Sequence, residues 1–514
     1  MIYMKEKRNL AFFFLLVGVL TVGGCAKTPE KSAVASKTGG LSQMSVADPL
    51  KEGETKEIAV PELWKMQEKR GNDRAIIQVE LSMETPEVGN LPVLELQNHK
   101  LTQEELEGLV NYFAGGEKLY LPLTADREDY ESVIDKIEQK KGVYANPNLS
   151  VVYAKQKEWM EKAIDLAPER ERANKEVKPV FEKKQEDPAK YASADIEVPE
   201  KNKLEIFFDA DVGLDRHGHI SAENYSADAG NSSSFCWQEG DFLLNENDLE
   251  ILLEEAQMDL SVSGTFAKEW MQILKAYETA LKTENFSVDE GQQRADNLLE
   301  ELNIENMELN DTEKALWFPT GTFPSNKADS TDSCLWQGNP KDGCFAYTYT
   351  YSRNIGGLFV DQLESIAFNE AFQAAYAPPF PVEKIHVTVT ADGVVSFIWQ
   401  GICQESSVVT ANTQLLDFED IGEKLFDYIY YDYTAQGQPS ESQAEFVYTV
   451  TSADLGYTYI PAYKNPSHAW LVPAWFFRVR PYFKPNTPGL VGSARPTLEF
   501  MVNALDGGQI AQQR

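Results

Sequence analysis

Basic residues are scarce in this chain. Its 514 residues include 47 lysines and arginines against 81 aspartates and glutamates, which gives a formal net charge of −34 at pH 7. So much negative charge repels phosphate backbones and anionic headgroups, and it argues against a nucleic-acid partner and against a protein that lies flat on a membrane. Hydrophobic residues still make up 42% of the chain, which is ample for folded domains.

The sequence also lacks the common signatures of catalytic and metal sites. It contains no G-x-S-x-G, S-x-x-K or H-E-x-x-H motif and no glycine-rich loop placed to hold phosphate. No C-x-x-C pair and no cysteine–histidine cluster indicates zinc. Carboxylates are too numerous for a catalytic pair to be singled out, so a glycosidase stays open as an alternative. We therefore assign no catalytic residue, metal or cofactor, and the sequence favours a protein that is not an enzyme.

One acidic segment has spacing that invites a calcium loop. Asp209, Asp211 and Asp215 alternate with apolar residues, and His217 and His219 follow them. A calcium loop also needs a late bidentate carboxylate, and an isoleucine occupies that position. Two neighbouring histidines are too few ligands for a transition metal. The alternation instead predicts a strand with a solvent-exposed aspartate face and no bound metal.

Long hydrophobic runs are absent as well. The longest apolar stretch, residues 10–22, follows Lys5, Lys7 and Arg8 and covers thirteen residues, whereas a membrane-spanning helix needs about 20. A basic start, a short apolar region and small residues before a cleavage site are the signature of an export signal. The sequence therefore predicts a signal peptide at residues 1–24.

The tetrad Val22-Gly23-Gly24-Cys25 resembles the lipobox of bacterial lipoproteins. The resemblance implies that Cys25 becomes the lipidated N-terminus and anchors the protein to the outer face of the cell membrane. Two or three acyl chains, at ~0.8 kcal/mol per buried methylene, anchor stably where one chain does not. Residues 25–60 are polar and rich in small residues, and they predict a flexible tether. The alternatives are an ordinary signal peptide and a buried cysteine at position 25.

Four cysteines remain beyond the lipobox, at positions 236, 334, 344 and 403. An even count in an exported chain is typical of disulfides, although four cysteines allow three pairings. Cys334 and Cys344 flank a turn-rich stretch of glycine, asparagine and proline, which predicts a disulfide between them. A bridge between Cys236 and Cys403 is the accompanying pairing.

Length and composition shifts predict an α+β protein of two or three domains. We expect an N-terminal α+β domain at residues 61–176 and a Lys/Glu-rich connection at 177–203. A middle α+β domain at 204–330 and a C-terminal α+β domain at 331–514 complete the division. In the last domain we expect an antiparallel sheet wrapped around one helix.

The C-terminal region has the clearest local patterns. Alternating residues at 385–400 around Asp392-Gly393 predict a hairpin with a two-residue turn, in which both central residues have positive φ. A helix at 414–428 is predicted to bury one apolar face, and Trp475 is expected in the same core. That face comprises Leu415, Phe418, Ile421 and Leu425.

Three further patterns predict regular elements elsewhere. The segment 75–81 has the composition of a strand. Thr102 and Glu105 have the spacing of a capping box, which predicts the start of a helix. A helix from about 360 to 376 is predicted to end before two prolines.

Aromatic residues recur in two patterns. Trp237, Trp336 and Trp399 are each followed by glutamine and each have a cysteine within four residues. A glycan-binding protein would use them as stacking platforms, but core aromatics near strand ends are the favoured interpretation. Tyrosines at 347, 349 and 351 predict one buried strand face.

Three segments of the last region carry a family resemblance. They are 351–357 (YSRNIGG), 392–397 (DGVVSF), and 471–475 (LVPAW) leading to 502–507 (VNALDG). Together they resemble an uncharacterised family of lipoproteins from clostridial Firmicutes, over most of residues 60–510. The last pair also resembles PepSY-like and YycH/YycI-like modules. Members of the YycH/YycI type regulate a sensor histidine kinase from outside the membrane. They carry an N-terminal transmembrane helix, whereas this sequence has a lipobox-like tetrad.

These patterns predict a lipid-anchored extracytoplasmic protein with a non-catalytic binding or regulatory role. Its expected partners are the membrane, through Cys25, and an extracytoplasmic membrane or wall protein. The alternatives are a solute- or glycan-binding lipoprotein and a wall-modifying hydrolase. A deep cleft lined by tryptophans would favour the former, and converging carboxylates roughly 5–10 Å apart would favour the latter.

Overall fold

The computed structural model of the protein has an α+β fold. It describes residues 46–71, 73–122, 125–140, 147–167, 175–182, 188–193, 204–225, 233–240, 242–250, 252–253, 265–319, 343–362, 376–435, 444–463, 465, 467–485, 493–494 and 497–511. The predicted signal peptide, Cys25, Cys334, Trp336 and most of the helix predicted at 360–376 lie outside these ranges.

The helices are short to medium in length and lie between or beside the strands. They are α1 (Gln103–Ala114), α2 (Arg127–Lys140), α3 (Pro147–Leu166), α4 (Pro188–Ser193), α5 (Thr265–Leu281), α6 (Val288–Glu301) and α7 (Phe418–Ala435). The predicted capping box at the start of α1 is confirmed, because the Thr102 side chain accepts from the Glu105 backbone and Glu105 bonds back. Among the described residues, no helix has the length and apolar composition needed to cross a membrane.

The strands span the whole described chain. They are β1 (Lys56–Glu57), β2 (Leu63–Arg70), β3 (Ala75–Ser82), β4 (Glu87–Val88), β5 (Val93–Asn98), β6 (Leu119–Tyr120), β7 (Glu176–Val177), β8 (Leu204–Val212), β9 (Gly218–Tyr225), β10 (Ser233–Glu239), β11 (Phe242–Asn245), β12 (Glu308–Phe318), β13 (Cys344–Ser352), β14 (Asn354–Ile355), β15 (Leu358–Phe359), β16 (Lys384–Thr390), β17 (Val394–Gln400), β18 (Cys403–Thr410), β19 (Ala444–Pro461), β20 (Ala469–Pro485), β21 (Ser493–Ala494), β22 (Leu498–Asn503) and β23 (Gln509–Ile510). Strand β3 confirms the strand predicted at 75–81.

Two large sheets organise these strands. Sheet I has the order β11-β12-β13-β16-β17-β10-β9-β8-β6-β7, and sheet II has the order β18-β5-β20-β19-β3-β2. Strands β21 and β22 also pair with β20, and β23 pairs with β22. Two small ribbons, β1-β4 and β14-β15, stand apart. Sheet II is not wholly antiparallel as expected, because β19 pairs with β3 in parallel.

The predicted domain boundaries do not separate the two sheets. Sheet I takes β6 from the region 61–176, β8 to β12 from 204–330, and β13, β16 and β17 from 331–514. Sheet II joins β2, β3 and β5 to strands from the end of the chain. The pairing of β10 with β17 crosses the boundary at 330 directly. Such pairings join strands that are distant in sequence, and local composition carries no trace of them.

The last part of the predicted tether, residues 46–60, contacts the folded chain. Leu50 donates its backbone N–H to Asn90 Oδ1 at 2.7 Å. The backbone of Ile58 donates to Pro86 at 2.9 Å, and Ala47 contacts Asn412 at 3.4 Å. Residues 46–60 therefore belong to the fold, and a flexible tether over that part of 25–60 is wrong.

The core of sheet I confirms the predicted tyrosine face. Tyr347, Tyr349 and Tyr351 are 5%, 0% and 2% exposed on β13. Two of them bond to helix α6: the Tyr349 hydroxyl donates to the Val288 carbonyl, and the Tyr351 hydroxyl donates to Asp296, both at 2.6 Å. Tyrosine is amphipathic, so a buried ring with a bonded hydroxyl is stable there.

The core of sheet II confirms the predicted helix face in its main part. Phe418, Ile421 and Leu425 of α7 are buried, and Trp475 of β20 packs in the same core. Leu415 is only partly buried and precedes the helix, which begins four residues later than predicted. A contact with a distant segment precedes the helix, since the Leu416 N–H donates to the Ala504 carbonyl at 2.9 Å.

The hairpin predicted at 385–400 is confirmed, since β16 and β17 pair antiparallel with a register shift after Thr388. The predicted turn at Asp392-Gly393 is wrong. Gly393 has a positive φ of 153°, but Asp392 does not. The Thr390 N–H donates to the Gly393 carbonyl at 2.8 Å, and Val389 pairs with Val394, so the turn lies one residue earlier, at Ala391 and Asp392.

Candidate functional site

The two sheets meet where β17 passes into β18. Gly401 lies at this crossing with φ of 66°, and a Cβ there would approach the Val382 carbonyl to 2.6 Å. Ile402 donates to Ser233 of sheet I at 3.1 Å and accepts from His99, beside sheet II, at 2.9 Å. Only glycine tolerates both the backbone angle and the close approach, so this residue fixes how the chain changes sheets.

A buried polar cluster lies beside the crossing. The Glu383 carboxylate is 2% exposed and accepts from the Arg353 guanidinium at 2.7–2.8 Å. It also accepts from Trp399 Nε1 at 3.1 Å and from the Cys403 thiol at 3.4 Å. The Tyr459 hydroxyl contacts Cys403 Sγ at 3.3 Å. A buried charge needs this many partners, because each unpaired polar atom costs roughly 1–3 kcal/mol.

The cluster holds its thiol in the protonated form. Burial, and next the Glu383 charge, raise the pKa of Cys403 well above its ordinary value. Burial likewise raises the pKa of Tyr459. Although burial acts to lower it, the Glu383 charge keeps the pKa of Arg353 above that of a free guanidinium. Nucleophilic cysteines are thiolates, so Cys403 is suited to holding the junction and not to covalent chemistry.

A cleft of about 270 Å³ lies between Asn310 of β12 in sheet I, the β14-β15 ribbon, and strands β19 and β20 of sheet II. Its lining residues are Asn310, Gly357, Leu358, Phe359, Asp361, Ser452, Asp454, Leu455, Gly456, Phe476 and Arg478. Two β-bulges border it, one in β12 between Leu309 and Asp311 and one in β19 between Val450 and Ser452. Bulges re-aim side chains and concentrate near functional sites.

The cleft and the cluster share one segment of chain. Arg353 enters the cluster, and its carbonyl accepts from Val360 at 2.8 Å, which closes the β14-β15 ribbon. The ribbon then leads to Asp361, whose carboxylate pairs with Lys384 at 2.5 Å. The first residues of the family-like segment 351–357 therefore support the junction, and its last residue lines the cleft.

Polar groups of both charges face the cleft. Arg478 of β20 is paired through Nε with Glu499 at 3.2 Å, and its side chain is 56% exposed. Directly across on β19 lies Ser452, whose Oγ is buried and has no hydrogen-bond partner among the described residues. Asp454 follows on the same strand and is exposed. Such a site suits a small ligand with separated charges.

The predicted aspartate–histidine segment forms a different cluster on sheet I. Across the β8-β9 pair, His219 lies 3.1 Å from both Asp209 and Asp211, and Arg216 also pairs with Asp211. Burial acts to lower the pKa of His219, but bonds to the two aspartates raise it to about 9. The aspartates are thus neutralised by side-chain cations. Among the described residues no group of three or more metal-ligating side chains has metal-site geometry.

The cysteine predictions have separate outcomes. Cys344 is exposed, but Cys334 lies outside the described residues, so their disulfide stays a prediction. A bridge between Cys236 and Cys403 is wrong, because both are free thiols. Burial raises the pKa of Cys236 to about 11, and Cys403 belongs to the polar cluster.

The two described tryptophans of the Trp-Gln pattern are not exposed platforms. Trp237 is 6% exposed and stacks on Phe113 at 4.9 Å, while Trp399 is bonded to Glu383. This confirms the interpretation as core aromatics for these two, and Trp336 lies outside the described residues.

Sequence patterns missed most residues of the site. Arg353 stood in the family-like segment, but its partner Glu383 carried no motif. Ser452 and Arg478 are brought together by the register of β19 and β20, which sequence does not reveal. The position of Arg353 directly after the aromatic strand β13 was the one sequence signal of its buried ion pair with Glu383.

Comparisons with known proteins assign neither family nor function. No protein-family model and no curated protein matches the chain. It is similar to the crystal structure of an uncharacterized protein from Eubacterium rectale ATCC 33656, with 13% identity and a TM-score of 0.34. That match covers 88% of this chain and 94% of the other. A likeness this distant carries no argument, so the family resemblance stays a prediction.

Proposed function

We propose that this is a lipid-anchored extracytoplasmic protein that binds a ligand or partner at the outer face of the cell membrane, without catalysis of its own. The observation that carries this proposal is Cys25, placed after a basic start, a thirteen-residue apolar run and two glycines. The acidic composition suits a body held away from anionic lipid. A flexible chain of the length of residues 26–45 has a reach of roughly 25 Å.

The binding role rests on the cleft between the sheets. It offers a guanidinium, two carboxylates, a hydroxyl and an amide from residues on both sheets and the ribbon between them. Concave sites with a few convergent polar groups are the usual places for ligands. Ser452 Oγ strengthens the argument, because a buried hydroxyl without a described partner is costly unless something binds it.

Two observations support a role without catalysis. Cys403, the thiol of the polar cluster, is buried and its pKa is raised. Its neighbour Glu383 already accepts from Arg353, Trp399 and Cys403, so it is occupied as a structural ion. Among the alternatives, the cleft favours a solute-binding lipoprotein over a wall-modifying hydrolase. A glycan platform of tryptophans is not favoured, given the burial of Trp237.

Cys25→Ala tests the anchor. Only a thiol at this position accepts a thioether-linked lipid, so the variant should appear in the culture medium or remain as an uncut precursor in cell fractions. Cys344→Ala is the matched control, because it removes an exposed thiol and leaves the tetrad intact. A C25A protein that is processed normally and stays fully in the membrane fraction would refute the lipoprotein proposal. Crosslinking of the wild-type protein in intact cells, followed by mass spectrometry, identifies its partner.

A further inference from the structure

We propose that the cleft between the sheets binds a small zwitterion, an amino acid or a short peptide with a free carboxylate and a free ammonium group. This inference rests on the proposed binding function and adds the chemical class of the ligand. Arg478 and Asp454 supply opposite charges from the neighbouring strands β20 and β19. A ligand of a single charge would be opposed by a like charge at one of these two residues.

The carboxylate end of the ligand would meet Arg478 and Ser452. These residues are direct cross-strand partners on β20 and β19, so their side chains lie about 4.5–5.5 Å apart at Cβ. The hydrogen bond to Glu499 uses Nε, which orients the guanidinium and directs its Nη groups to the ligand. The buried Ser452 hydroxyl then gains an acceptor. Guanidinium and hydroxyl together are a common carboxylate-binding pair.

The ammonium end would meet Asp454. This residue lies two positions beyond Ser452 on the same strand, a spacing of about 6.8 Å along the chain. An α-amino acid can bridge that distance. Its carboxylate and its ammonium group are close together, and each would form a charge-assisted hydrogen bond of about 2.8 Å to the protein. Asp361, whose carboxylate is paired with Lys384, and Asn310 complete the polar lining of the cleft.

A neutral sugar fits the lining less well. Sugar sites present an exposed aromatic face, and here Phe476 is 7% exposed. A Cβ at Gly456 would lie 2.9 Å from this ring, so the strand backbone covers much of its face. The opposite charges of Arg478 and Asp454 also have no counterpart in a neutral ligand, which makes sugar binding the competing outcome of the experiment.

The experiment is calorimetric titration of the full-length lipidated chain in detergent micelles. The probes are L-alanine, L-glutamine and L-alanyl-L-alanine, with N-acetyl-L-alanine amide as the uncharged control and N-acetylglucosamine as the sugar. We expect binding of at least one zwitterion and none of the uncharged control. Arg478→Gln and Asp454→Asn should each weaken the affinity roughly tenfold or more, since each removes a charge-assisted bond.

Arg480→Gln is the matched control. Arg480 is an exposed arginine two residues along β20, on the same face but outside the cleft, so R480Q should leave the affinity within about twofold of wild type. The inference is overturned if N-acetylglucosamine binds and the zwitterions do not, if no probe binds at about 10 mM, or if R480Q weakens binding as much as R478Q. Sugar binding would leave the proposed binding function standing, and membrane fractionation of C25A tests the anchor independently.

Discussion

The two sheets solve the same packing problem with different chemistry. In sheet I, tyrosines of β13 lie under helix α6 and bond to it through Tyr349 and Tyr351. In sheet II, Phe418 of α7 meets Trp64 and Trp475 edge-on, with ring centroids 5.0 and 4.8 Å apart. The first arrangement fixes its helix through directional bonds, whereas the second depends on buried area and shape. Their responses to substitution should therefore differ in size and in kind.

The largest expected effect is in sheet II. Phe418 is 6% exposed, and Phe418→Ala removes a ring that two tryptophans contact, so it should lower the free energy of unfolding by about 3–5 kcal/mol. Phe418→Leu keeps most of the apolar volume and should cost less. Denaturant unfolding followed by tryptophan fluorescence measures both. A loss below about 1 kcal/mol for F418A would show that shape does not hold this core.

The corresponding test in sheet I removes one oxygen. Tyr351→Phe keeps the ring but loses the bond to Asp296, and it should cost about 1.5–3 kcal/mol, the usual range for bonds to a charged group. Asp296→Asn retains a neutral acceptor and should cost less. The same denaturant titration compares the two variants. If Y351F were as stable as wild type, the two cores would not differ in the way proposed.

Local patterns anticipated these cores because each is built on a short periodic segment. The tyrosine face of β13, the apolar face of α7 and the hairpin at 384–400 all have their signal within about twenty residues. The capping box of α1 is equally local. Where the determining contacts lie inside one segment, side-chain periodicity is enough to predict the element.

The sheets and the site depended on contacts between distant segments. Pairing of β10 with β17 joins residues 233–239 to 394–400, and the parallel pair of β3 and β19 joins residues 75–79 to 446–450. Glu383 has no neighbour in sequence that marks it as an ion partner of Arg353. Ser452 and Arg478 become a pair only through strand register. These features need the long-range topology, which local composition does not encode.

The third predicted effect is a pH dependence located in sheet I. Glu313 of β12 accepts from Asn247 at 2.8 Å through one oxygen, and its other oxygen is buried with no hydrogen-bond partner among the described residues. Burial, and next the Asp248 charge, raise the pKa of Glu313 to about 7. The folded state therefore binds an extra proton between about pH 4.5 and pH 7. Stability falls as pH rises through that window and levels off above it.

Glu313→Gln should remove this slope. The variant should gain stability relative to wild type at pH 8 and gain little at pH 5, with a difference of at most roughly 3 kcal/mol between the two conditions, since one pKa unit corresponds to about 1.4 kcal/mol. Glu80→Gln is the control in sheet II, because that carboxylate is 65% exposed and paired with Lys65. Denaturant unfolding at both pH values measures the effect. If the stability of E313Q depended on pH as that of wild type does, Glu313 would have an ordinary pKa in the folded state. The pH dependence would then come from another group.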